Sequence, residues 1–94
     1  MRAAERTYVV ILVPAEEGGY VVGVPALPGC VTQGDTLTEA LLMAEEGITL
    51  YLEALVEEGQ PLLVERGPVA VRMGDCREAF LRKVTVRLTV PAGA

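Results

Sequence analysis

The apolar positions of the chain follow two different rhythms. Residues 7–13, TYVVILV, form two alternating sets, Tyr8/Val10/Leu12 and Val9/Ile11/Val13, and both sets are apolar. β-Branched and aromatic residues without a breaker predict a strand. Its two apolar faces predict that it is central, or covered on its second side by a partner. The segment PAEEGG (14–19) turns the chain, and residues 20–24 predict a second strand antiparallel to the first. A short third strand is predicted over 30–33, closed by Gly34. From Leu37 the rhythm changes, with apolar residues at 37, 40, 41, 44, 48, 51, 52, 55 and 56. Steps of three and four are those of one helix face. Thr36 and Glu39 have the spacing of a capping box, and Gly59 followed by Pro61 is a stop signal, so a helix is predicted over 36–58. Gly47 weakens it by about 1 kcal/mol relative to Ala, which a close approach to the sheet would explain.

Beyond the helix the pattern predicts a short extended piece, a break at Gly67-Pro68, a strand over 69–73 and a helical turn or two over 76–82. Val84, Val86, Leu88 and Val90 then alternate with Thr85, Arg87 and Thr89, as in a strand with one buried face. These elements make a small α+β domain in which one antiparallel-rich sheet is covered on one face by a single helix. With 94 residues, 51% of them hydrophobic and 22% charged, one domain with a modest core is expected. It spans 1–94, with its core over about 7–73 and a C-terminal strand extension over about 83–90. The apolar second face of the first strand predicts self-association into a homo-oligomer.

The stretch 18–36, GGYVVGVPALPGCVTQGDT, is the densest in pattern, and most of its glycines and prolines have a role in folding. Pro28-Gly29 suits a type II turn, and no phosphate-binding spacing occurs. The chain has no His and no Ser, which rules out a Ser-His-Asp or Cys-His arrangement within it. Asp35 and Asp75 are the only aspartates, and residues 7–13 carry no acid, so a two-metal nuclease centre is poorly supplied. Cys30 and Cys76 form no CxxC pair and read as reduced, packed thiols. No cofactor and no metal are expected.

The net charge of −5 disfavours general nucleic-acid binding and favours a basic protein partner. Every charged residue of the helix is acidic: Glu39, Glu45, Glu46, Glu53, Glu57 and Glu58. They form either a solvated outer face or a surface presented to that partner, and spacing leaves both open. The one candidate for DNA contact is 82–91, RKVTVRLTVP. Its outward residues Lys83, Thr85 and Arg87 suit a β-ribbon in a major groove, although a sheet-edge or dimer-pairing strand is the simpler reading. The longest apolar runs fall far short of the roughly twenty residues a bilayer needs, and no secretory leader pattern opens the chain. A cytoplasmic protein without membrane contact is expected.

Gly19-Tyr20 with two valines, the Leu27-Pro28-Gly29-Cys30 turn, Gln33-Gly34-Asp35-Thr36 and Glu39-Ala40 occur in that order. Together they closely resemble the signature of the HicB-like antitoxins, over about residues 7–60. The resemblance implies a β-β-β-α-β domain similar to a stripped-down RNase H fold lacking the nuclease carboxylates. It also implies a non-enzymatic protein that neutralises a small basic mRNA-cleaving toxin (a HicA-like mRNA interferase) by complex formation. Longer relatives repress their own operon through an appended module. The tail VTVRLTVP is similar to the first strand of such a ribbon-helix-helix module, whose two helices do not follow here.

Tyr20, Leu27, Gln33 and Asp35 are the positions expected to meet the partner. Each also has a plain structural reading: Tyr20 against the helix, Leu27 plugging the sheet's end, Gln33 solvated, Asp35 helping to cap the helix. Two alternatives stand beside the antitoxin. One is an operator-binding repressor acting through Lys83, Thr85 and Arg87; the other is a solitary degenerate nuclease-like or ligand-binding domain.

Overall fold

A computed structural model describes residues 2–62 and 78–90. Four strands and a helix follow in the order β1 (Arg2–Pro14), β2 (Tyr20–Gly23), β3 (Val31–Gly34), α1 (Leu37–Glu57) and β4 (Phe80–Val90). The strands form one antiparallel sheet of order β3-β2-β1-β4. The architecture is therefore the expected small α+β domain.

β1 begins five residues earlier than its apolar run suggests. Residues 2–6 have weak strand propensity of their own, but β4 pairs with them from Arg2↔Val90 onward, and pairing overrides propensity. The extended strand consequently does carry one acid, Glu5, opposite Arg87. The helical turn expected over 76–82 is not formed where the structure describes it. Phe80, Leu81 and Arg82 pair with Leu12, Ile11 and Val10, and a ladder partner is worth more there than an isolated turn. Residues 76 and 77, and the strand expected over 69–73, lie outside the described residues.

Two consecutive turns join β2 to β3. Leu27 N–H donates to the Val24 carbonyl at 3.0 Å and Cys30 N–H to the Leu27 carbonyl at 3.0 Å. Gly29, with φ of 82°, takes the third position of the second turn, which makes it the type II turn that Pro28-Gly29 predicts. Gly34 ends β3 where α1 begins, and a Cβ there would fall on the backbone of Ala40. No other residue fits without moving the helix away from the sheet.

Thr36 caps the helix, its Oγ1 accepting from Glu39 N–H at 3.0 Å. At the other end Gly59 N–H donates to the Val56 carbonyl and Gln60 N–H to the Leu55 carbonyl, the pair of bonds of a Schellman ending. The core lies between sheet and helix. Tyr8, Val10 and Leu12 of β1, Val22 of β2 and Val84, Val86, Leu88 and Val90 of β4 meet Ala40, Ala44, Ile48 and Leu52 of α1. The segment 83–90, expected as an extension of the core, thus supplies four of its buried side chains. Gly47 does not serve a close approach to the sheet. The nearest atom to a Cβ placed there is Cys30 Sγ, at 4.0 Å.

Candidate partner-binding surface

The four residues singled out in the signature stretch do not converge. Directly paired residues share a face of a sheet, so Tyr20, opposite Gly34 and Pro14, lies on the helix side, and Gln33, opposite Val21, lies on the outer side. Tyr20 is half-buried and meets the Phe80 ring edge-on, with centroids 6.1 Å apart. Its packing partner is therefore on β4 as well as in the core under the helix. Leu27 is fully buried, so its side chain seals the end of the core and cannot present itself to a partner. Gln33 and Asp35 are exposed on either side of the buried Gly34. Only these two, with the half-buried Tyr20, remain available at the surface.

The outer face of the sheet carries an exposed apolar row. Val31, Gly23, Ile11 and Leu81 form one row across all four strands, and Val21 and Val13 sit beside them next to Gln33. Val31 is 67% exposed and Leu81 52%. Beyond Val9 and Lys83 the same face turns polar. The Thr7 and Thr85 hydroxyls lie 2.7 Å apart, and Arg87 Nε donates to Glu5 Oε2 at 2.9 Å. Two of the three residues considered for DNA contact are therefore already engaged across the β1–β4 pair. Exposed ion pairs add little stability, but this one holds the guanidinium against a carboxylate.

α1 presents the second distinctive surface. Glu39, Glu45, Glu46, Glu53 and Glu57 are exposed. Leu42 and Leu50 lie among them, 61% and 58% exposed, with Met43 beside them. Sequence reasoning missed these three because they fall off the core stripe. That departure is itself the signal, since an apolar residue outside the stripe of a one-sided helix must face solvent. Tyr51 falls on the core stripe, yet its hydroxyl reaches out to the Pro28 carbonyl at 2.9 Å.

Among the described residues, no three His, Cys, Asp or Glu side chains stand together to hold a metal ion. Burial pushes the Cys30 thiol above its ordinary 9.0, which lowers its thiolate fraction and its reactivity. No helix among the described residues is long and apolar enough to cross a membrane.

The family described as HicB_like antitoxin of bacterial toxin-antitoxin system matches residues 8–85. The chain belongs to this family. It is 49% identical over 55 residues to a UPF0150 protein of Thermoplasma acidophilum, covering 58% of this chain and 80% of that one. With Antitoxin HicB 1 of Photorhabdus laumondii it shares 44% identity over 77 residues, covering 82% of this chain and 49% of the relative. This HicB-like chain thus spans about half the length of that antitoxin. Among solved structures it resembles a chain of the HicA3 and HicB3 toxin-antitoxin complex. The TM-score is 0.61 at 26% identity, over 85% of this chain and 96% of that chain.

Proposed function

We propose that this HicB-like chain works as an antitoxin, neutralising a small basic mRNA-cleaving toxin by holding it in a complex. The observation that carries the reading is the family match over residues 8–85, which takes in β2, β3, α1 and most of β1 and β4. The exposed carboxylates of α1 support a basic partner through complementary potential. Gln33 and Asp35, with the edge of Tyr20, are the contacts offered by the signature stretch. The chain binds and does not turn over substrate, a reading supported by the absence of His and Ser from its sequence. The β-β-β-α-β order supports descent from an RNase H-like fold that has lost its chemistry, in a cytoplasmic protein.

The same reading includes self-association. The apolar outer face around Ile11, Val31 and Leu81 supports a homo-oligomer built on the sheet, leaving α1 free on the opposite side. The test is co-expression with the small basic protein encoded in the adjacent reading frame. Co-purification with loss of that protein's RNA cleavage is expected. Separate purification with cleavage undiminished overturns the proposal.

A further inference from the structure

Three shallow recesses of about 330, 370 and 480 Å³ follow one another along the outer side of α1. Leu42 and Glu45 belong to both the first and the second, and Leu50 to both the second and the third. They form one track from position 38 to position 57, about 30 Å long at 1.5 Å per helical residue. β4 borders it at each end, through Lys83 and Thr85 on one side and Thr89 on the other. Leu42, Glu46, Thr49 and Glu53 succeed one another at steps of four, three and four, so they make a straight stripe. Thr49 has already spent its hydroxyl proton on the Glu45 carbonyl, at 2.8 Å. The stripe therefore runs from leucine into carboxylate, with Leu50 beside it, and Lys83 is the one cation among the described residues lining the track.

The shape and charge select the occupant. A straight stripe on one helix is the seam that a second helix covers, ridges seated in grooves. A second copy of α1 is a poor candidate, because it would set Glu46 and Glu53 against their own counterparts at short range. An apolar residue between Leu42 and Leu50, with cations on either side of it, satisfies both features. We propose that the outer track of α1 receives an amphipathic basic helix of a protein partner. Its apolar side chains lie on Leu42 and Leu50, and its Lys or Arg residues meet Glu46 and Glu53. The partner's identity rests on the antitoxin reading; the surface goes beyond it, placing the main contact on α1 and not on the signature stretch.

Two probes keep the inference and that reading apart: the small basic protein encoded beside this chain, and a synthetic helical peptide of Leu and Lys. Both are titrated against the full chain, its Glu46→Lys/Glu53→Lys variant, its Leu42→Ala/Leu50→Ala variant and a Glu16→Ala/Glu17→Ala control in the β1–β2 turn. All substituted positions are exposed, and circular dichroism checks that the helix is retained. Each α1 variant is expected to weaken binding of both probes by at least about tenfold, with the control close to wild type. Binding of the peptide but not of the neighbour, lost in the α1 variants, supports the track and refutes the toxin reading. Binding of the neighbour at wild-type strength by both α1 variants overturns the track and leaves the toxin reading standing. Binding of neither probe overturns it as well.

Discussion

The Tyr51 hydroxyl, on the middle turns of α1, donates to the Pro28 carbonyl at 2.9 Å and so ties the β2–β3 loop to the helix. The ring packs against the core while its polar tip satisfies a carbonyl of a loop otherwise held by its own turns and by the burial of Val24, Leu27 and Cys30. Replacing Tyr51 by Phe keeps the packing and removes the bond. A loss of about 0.5–1.5 kcal/mol in unfolding free energy is expected, with faster amide exchange at residues 27 and 30. Denaturation and exchange indistinguishable from wild type would show that the bond contributes nothing.

Two glycines of similar appearance in the sequence should respond in opposite ways. Gly47 sits inside α1, and a Cβ added to it would meet only Cys30 Sγ at 4.0 Å, an ordinary contact. Gly47→Ala is therefore expected to stabilise the fold by about 0.5–1 kcal/mol through helix propensity. Gly34→Ala must displace the first turn of α1 from the end of β3 and is expected to destabilise by about 1–3 kcal/mol. Thermal melts of the two variants check the pair; a shift of the same sign in both would contradict the placement of α1.

What could be read from the chain follows from where the governing physics is local. Thr36 with Glu39, Gly59, and Pro28-Gly29 each carry their conformation within a few residues, and the structure has the cap, the Schellman ending and the type II turn at those places. Residues 2–6 could not be read this way, because Ala3, Ala4, Glu5 and Arg6 become strand only through β4, some eighty positions later. That the four candidate contacts do not share one face has a different reason. Tyr20, Leu27, Gln33 and Asp35 are close in sequence, but a period of two sends Tyr20 and Gln33 to opposite faces, and loop closure buries Leu27. Leu42 and Leu50 are legible in the sequence as the apolar residues that the helical stripe leaves over.

The row Val31–Gly23–Ile11–Leu81 makes the oligomer testable apart from any partner. Leu81 is half-exposed and lies on the outer face, so Leu81→Lys adds a charge there without touching the helix-side core. The wild-type chain is expected to sediment as a dimer or larger species, and the variant to shift toward monomer with unchanged circular dichroism. A wild-type chain that is monomeric at high concentration, or a variant that assembles equally well, refutes self-association through this face.

Cys30 gives the fold a dependence on alkaline pH whose sign follows from burial. The thiol lies against the core, and loss of hydration disfavours its thiolate, so its folded pKa lies above the ordinary 9.0 of the unfolded chain. Below that value both states hold the proton and the thiol's contribution is fully present. As the pH rises past 9.0 the unfolded chain loses its proton first; the native state then binds more protons, and the free energy of unfolding falls until the folded thiol also ionises. Urea denaturation at about pH 7 and about pH 10 should therefore show a larger drop for wild type than for Cys30→Ala, in which this group no longer titrates. Comparing the two proteins cancels every other group, since they differ only at position 30. Equal drops would mean that the Cys30 sulfur is hydrated in the folded state, and that the end of the core beneath Leu27 is open to water.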